Sequence, residues 1–176
     1  MKRFKLVTLR GAAVALSLFA CAAASADTKP YTMTVFEDVA YGNKVVAGRY
    51  TKAIERITQS PRRYADDVMG QTNLCVAYAK TEELDKAFTA CESVVAKLES
   101  RRIALSARAA RDYAQRQYAT ELAVALSNRG VLRAATGDEA TASADFERAA
   151  SLESGVSAPA INLALLSLDS VASVVR

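Results

Sequence analysis

The side chains that most often do chemistry in proteins are sparse in this sequence. None of its 176 residues is histidine, so the commonest general base and metal ligand is absent. The carboxylate pairs Asp66-Asp67 and Glu82-Glu83 are adjacent in sequence, and adjacent residues on a helix point to different sides. There is no glycine-rich phosphate loop, no Gly-x-Ser-x-Gly segment and no cluster of cysteines. The sequence therefore predicts a protein that is not an enzyme, with no catalytic residues, no cofactor and no metal site.

The amino-terminal residues have the pattern of a secretory signal peptide. An apolar run spans residues 12–20, and the small residues of 24–26 follow it. Four basic residues and no acid precede the run: Lys2, Arg3, Lys5 and Arg10. The run is about half of the roughly 20 residues that a membrane-spanning helix needs. We expect residues 1–26 to be removed by cleavage between Ala26 and Asp27, leaving a periplasmic or secreted protein with no transmembrane helix. The alternative is a lipoprotein acylated at Cys21, although the bulky Phe19 fits such a site poorly.

Removal of this segment changes the charge balance. The whole chain has 23 Lys+Arg and 19 Asp+Glu, and residues 1–26 hold four basic residues and no acid. The remaining chain then has 19 residues of each sign and no net charge. Nucleic-acid binding, which needs a surplus of positive charge, is not expected.

The composition of the remaining 150 or so residues indicates one all-helical domain. Alanine is abundant, prolines number three, and tryptophan is absent. We find no stretch in which apolar and polar residues alternate as they do in a half-buried strand. Residues 27–36 come before the first helical pattern and are expected to be extended.

Two stretches of the sequence repeat the same arrangement of small and large residues. The first contains Leu74, Cys75, Tyr78, Ala87, Cys91 and Val94, and the second contains Gly130, Gly137, Ala142, Phe146 and Ala149. A weaker copy covers 47–57, and a half copy covers 160–165. Gly48 to Glu82 and Asn128 to Asn162 are both 34 residues.

This 34-residue pattern resembles the tetratricopeptide repeat (TPR) family. The resemblance implies a TPR-like α-solenoid of stacked antiparallel helix pairs over 37–176, in which no pair can bury its apolar face alone. We expect repeats at about 34–64, 65–110 and 112–153, and a half repeat at 157–175 that forms a carboxy-terminal capping helix. The family implies a protein or peptide partner.

Two departures from the pattern need a physical explanation. Asn73 and Asn128 are 55 residues apart, so 21 residues are inserted around 96–118. We expect the insertion to lengthen the second helix of one pair and the first helix of the next, with a turn near Arg111. Arg129 and Arg133 stand where the family has apolar residues. Because an unpaired buried Arg is very costly, we expect both to be exposed or paired.

Cys75 and Cys91 remain after cleavage and fall on adjacent helices of one repeat. An exported protein meets an oxidising compartment, and a disulfide needs Cα atoms within about 7 Å. The expected offset of about one helical turn makes that distance borderline. Either a structural disulfide or two buried thiols fits the sequence.

The candidate binding residues are asparagines. Asn73, Asn128 and Asn162 share one repeat position, which in the family lies on the inner, concave face and often contacts the ligand. An asparagine amide both donates and accepts hydrogen bonds, so a row of them could hold an extended peptide backbone without reading its sequence. Apolar residues three or four positions away should line the same face: Met69, Val76, Val124, Val131 and Leu165. The alternative is that this face is covered by the protein itself, for instance by residues 27–36, or by a second copy through self-association.

Overall fold

The computed structural model describes residues 31–64, 67–106 and 112–174, and every regular element within these ranges is an α-helix. Residues 31–36 form no helix and lead into the first one. The predicted signal peptide, Asp27 and the turn near Arg111 lie outside the described residues. The helices are α1 Gly42–Val46, α2 Tyr50–Thr58, α3 Pro61–Tyr64, α4 Val68–Lys80, α5 Leu84–Ser106, α6 Asp112–Ala135, α7 Glu139–Ala150 and α8 Ala158–Val174.

The helices stack as antiparallel pairs. The most extensive contacts join α6 to α7 and α4 to α5, and α5 packs on α6 to connect these two pairs. At one end α2 packs on α4, and at the other α8 packs on α7 and α6. Asp67 caps α4 by accepting a hydrogen bond from the Gly70 N–H at 2.7 Å. The order of elements is therefore that of a helical solenoid.

In each of the two central pairs, one helix is much longer than the other. Helices α5 and α6 have 23 and 24 residues, compared with 13 in α4 and 12 in α7. The added turns form part of a core of their own, in which Leu98 and Leu122 are 0% and 1% exposed. The insertion lengthens the second helix of one pair and the first helix of the next, as predicted.

The first pair is short and begins irregularly. Helix α1 has five residues, and Ala40 and Tyr41 before it have φ angles of 46° and 59°. Left-handed backbone of this kind is unfavourable for residues with a Cβ. Other contacts must therefore hold the entry to α1 in place.

A disulfide joins α4 to α5. Cys75 and Cys91 are bonded, with their Cα atoms 5.3 Å apart. Both residues are buried, at 0% and 2% exposure, in a cluster with Ile57 and Leu74. The two helices are therefore close enough for a disulfide, which was one of the two alternatives that the sequence left open.

Arg129 and Arg133 of α6 are both paired, as their cost of burial predicts. Arg129 donates to both oxygens of Asp145, at 2.9 and 2.6 Å, and to Glu92 at 2.8 Å. Arg133 donates to the same two carboxylates at 2.9 and 3.0 Å. Burial lowers the pKa of Arg129, but the hydrogen bonds and charges of Asp145 and Glu92 outweigh burial and raise it. Two cations and two anions therefore form a balanced cluster.

None of the helices in the described part of the chain is long and apolar enough to cross a membrane.

Candidate peptide-binding face

Helices α4, α6 and α8 each place one asparagine on the same face of the stack, and all three side chains are 0% exposed. Asn162 accepts a hydrogen bond from the N–H of Thr32 and donates one to its carbonyl, both at 2.8 Å. Asn128 makes the same two bonds with Thr34, also at 2.8 Å. Each amide therefore binds both backbone groups of a single residue.

Asn73 completes the series on α4. It accepts from the N–H of Phe36 at 2.9 Å and donates to the Phe36 carbonyl at 3.0 Å. Its amide also donates to the carbonyls of Val39 at 3.0 Å and Ala40 at 3.4 Å. These bonds hold the irregular entry to α1, where a Cβ on Gly42 would lie 1.9 Å from the Phe36 carbonyl oxygen. Position 42 therefore accepts only glycine, because any Cβ would overlap the Phe36 carbonyl.

We call Asn73, Asn128 and Asn162 the asparagine ladder. The bound residues are two apart, which is about 6.6 Å along an extended chain, so each helix pair supplies one asparagine for every two residues. The ladder satisfies buried backbone groups that would otherwise be costly to leave unpaired. It contacts backbone atoms of the bound residues, and so it does not select their side chains.

Side chains at the intervening positions pack into the helical core. Tyr31 stacks on Phe146, with ring centroids 6.2 Å apart and planes inclined by 26°. Met33 contacts three buried clusters, and Val35 contacts one of them. Residues 31–36 are therefore held by the ladder through their backbone and by apolar contacts through alternate side chains. We call them the N-terminal strap.

The apolar residues predicted around the asparagines have different places. Val76 and Val131 are 3% and 8% exposed and belong to clusters that contact Met33. Val124 is buried, at 1% exposure. Met69 is half-buried and lines a separate hollow with Val39, near the point where the strap meets α1.

The extended backbone on the ladder belongs to the same chain. The sequence predicts a row of asparagines suited to an extended backbone and leaves open whether a partner or residues 27–36 lie there. In the structure it is residues 31–36 that do. Binding of an external peptide by these asparagines remains a prediction.

The strap also corrects one expectation. We found no alternation of apolar and polar residues, but Tyr31, Thr32, Met33, Thr34 and Val35 do alternate. The expectation was wrong because the alternation covers five residues and lies outside the repeats. The signal was present, and the period of two is that of an extended segment with one face buried.

Comparison with known proteins supports the architecture. No protein-family model and no curated protein sequence matches the chain significantly. Among solved structures, the first TPR domain of Spaghetti (RPAP3), bound to the HSP90 peptide SRMEEVD, is similar. Its TM-score is 0.54 and its identity 22%, over 72% of this chain and 84% of that one. The second TPR domain of human RPAP3, in complex with the HSP70 peptide SGPTIEEVD, has a TM-score of 0.51 and 21% identity, over 71% of this chain and 87% of that one. This chain has a TPR-like fold.

Proposed function

We propose that this protein is an exported TPR-type interaction module, an adaptor or assembly factor, that binds an extended segment of a partner protein on its concave face. The observation that carries the proposal is that each amide of the ladder binds the N–H and the carbonyl of one residue. Such contacts suit any polypeptide backbone, so a partner segment can make the same bonds that the strap makes.

The strap is a replaceable occupant because it is an arm of the chain rather than part of a helix. Its hold consists of hydrogen bonds, each contributing about 0.5–1.5 kcal/mol net, and of apolar contacts. Because the strap is tethered to the face, a partner segment with equal contacts replaces it only when its concentration exceeds the effective concentration of the strap. The similar RPAP3 domains were solved with peptides bound, which supports the class of ligand.

Export is supported by the signal-peptide pattern of residues 1–26 and by the Cys75–Cys91 disulfide, since such bonds persist in oxidising compartments. Intact mass of the exported protein tests this part. A chain beginning at Asp27 is expected, whereas an acylated Cys21 would instead make the protein a lipid-anchored assembly factor.

The binding proposal is tested by opening the face without altering it. Met33→Asp releases the strap and leaves the ladder intact, so this variant should capture more partner from a periplasmic extract than the native chain. Adding Asn128→Ala to Met33→Asp should remove that gain, because a backbone contact is lost from the face itself. Thr32→Asp, at an exposed position of the strap, is the matched control and should behave like the native chain. Equal capture by all four proteins would show that the concave face does not bind the partner.

A second candidate function is self-association as a structural component of the cell envelope. It is favoured by one observation: the segment whose fit to the ladder is visible is the chain's own. Exchange of straps between two copies would preserve every contact, as in domain swapping. Sizing over a range of concentrations tests it. A dimer that Met33→Asp abolishes supports exchange, and a monomer at all concentrations excludes it.

A further inference from the structure

The strap shows which side chains the concave face accepts. Its odd-numbered residues Tyr31, Met33 and Val35 contact the buried clusters, whereas Thr32 is exposed. The face therefore has three apolar positions spaced two residues apart. An aromatic ring fits the first, against Phe146.

The second and third positions differ in shape from the first. Met33 contacts three clusters at once, one of which includes Val76 and another Val131. An unbranched, flexible side chain suits such an irregular gap. Val35 contacts a single cluster, and its β-branched side chain favours extended backbone.

The even-numbered residues are restricted through their backbone. The N–H groups of Thr32, Thr34 and Phe36 all donate to the ladder. Proline has no N–H and cannot make this bond. Proline is therefore excluded at these three positions, and other residue types are tolerated where the side chain faces solvent.

We propose that the partner segment is an extended peptide with the pattern aromatic–x–methionine–x–β-branched aliphatic–x, in which no x is proline and charge is excluded at the three apolar positions. This inference rests on the proposed function, because it specifies the ligand of the same face. The strap is the internal copy of that pattern, and it closes the face until a partner segment with matching side chains replaces it.

The test uses a labelled peptide with the sequence of residues 30–37 and the chain that carries Met33→Asp. In this chain the strap should be released, because a charge at position 33 does not fit the apolar clusters, while the residues of the face itself are unaltered. The labelled peptide should bind it, and should bind the Thr32→Asp chain, whose strap stays in place, at least about tenfold more weakly. A chain carrying Tyr31→Ser and Val35→Ser is a second opened receptor if Met33→Asp impairs folding.

Competing peptides then separate side-chain selection from backbone binding. A peptide with aspartate in place of Thr32 should compete within about threefold of the unaltered peptide, since that side chain faces solvent. The same change at Met33 places a charge in the apolar core and should weaken competition more than about tenfold. Proline in place of Thr34 should also weaken it about tenfold, through the lost hydrogen bond.

The outcomes distinguish this inference from the function on which it rests. If the peptide altered at Met33 competes as well as the one altered at Thr32, the face binds backbone alone and the pattern is wrong, although the proposed function stands. If the unaltered peptide binds neither opened chain, the face accepts no segment from outside and both proposals fail.

Discussion

The α4–α5 pair and the α6–α7 pair solve one packing problem in two ways. With Asn73 and Asn128 aligned, Cys75 corresponds to Gly130 and Cys91 to Phe146. In the first pair the two side chains form a disulfide. In the second, the Phe146 ring comes within 2.6 Å of the position that a Cβ on residue 130 would occupy, so it fills the space beside Gly130. Both pairs need a small residue on the first helix, Cys75 or Gly130. The residue that faces it from the second helix varies between the pairs.

The same alignment shows a second exchange on another part of the pairs. Leu74 and Tyr78 of the first pair correspond to Arg129 and Arg133. Ala90 corresponds to Asp145, which binds both of these arginines. An apolar contact in one repeat is thus replaced in the next by a balanced group of charges.

These exchanges indicate that the repeat constrains the shape of the helix contact, and the pairing of its buried polar groups, more strongly than residue type. Apolar side chains pack without further conditions, whereas each buried charge depends on its partners. The two pairs should therefore respond very differently to single substitutions at corresponding positions.

The largest effect is expected from Asp145→Ala. This carboxylate is 4% exposed, and its removal leaves Arg129 and Arg133 with Glu92 alone. We expect the free energy of unfolding to fall by about 3–5 kcal/mol, measured by denaturant unfolding. Glu147→Ala, at an exposed position of the same helix, is the control. Substituting the whole group to match the first pair, as Arg129→Leu, Arg133→Tyr and Asp145→Ala together, should bring stability back to within about 1 kcal/mol of the native chain or above it. A triple variant as unstable as Asp145→Ala would contradict this interpretation.

The next effect concerns the disulfide of the first pair. Cys75→Ala with Cys91→Ala should lower the free energy of unfolding by about 3 kcal/mol, because the sequence separation of 16 residues closes a short loop. Comparing the native chain with and without a reducing agent, by the same unfolding measurement, should give a similar loss. If the double variant is as stable as the native chain, the disulfide adds nothing to the free energy of unfolding beyond what side-chain packing supplies.

A smaller effect is expected at the corresponding place in the second pair. Gly130→Ala puts a methyl group against the Phe146 ring, which is 0% exposed. Overpacking should outweigh the better helix propensity of alanine and lower stability by about 1–2 kcal/mol. Thermal unfolding would measure this, and a raised melting temperature would mean that the ring moves aside freely.

The smallest effect compares the turns that end α4 and α6. Glu82 and Gly137 occupy corresponding positions with φ angles of 61° and 86°, a region that disfavours residues with a Cβ. Gly137→Glu should therefore lower the free energy of unfolding by about 1 kcal/mol, and Glu82→Gly should raise it slightly. Changes of the same sign in both variants would show that backbone strain does not decide the choice of residue here.

Much of the helical architecture follows from the repeat pattern. Small residues such as Cys75 and Gly130 locate close helix contacts, and the 21-residue insertion correctly predicts the long α5 and α6. The pairing of Arg129 and Arg133 follows from the cost of an unpaired buried charge, although Asp145 as their partner could not be named because its position matches an alanine in the other copy.

The contents of the face that carries the asparagine ladder were harder to predict. The asparagines share a repeat position, which is a regular signal, but their bound residues lie 37, 94 and 130 positions away. No local pattern connects such distant groups. The short alternation that we missed lies in Tyr31, Met33 and Val35 and the threonines between them. Five residues outside any repeat are too few to predict where the segment packs.

Thr32 and Asn162 are 130 residues apart in the chain, so the hydrogen bond between them can form only late in synthesis. A ribosome adds about 5–20 residues per second, so Asn162 is made on the order of ten seconds after Thr32. The strap is among the first described residues to be synthesised, but its contact with Asn162 cannot form until α8 has been made. Before α8 has been made, the strap can bind only the asparagines of α4 and α6, so the asparagine ladder cannot be complete until synthesis has passed Asn162.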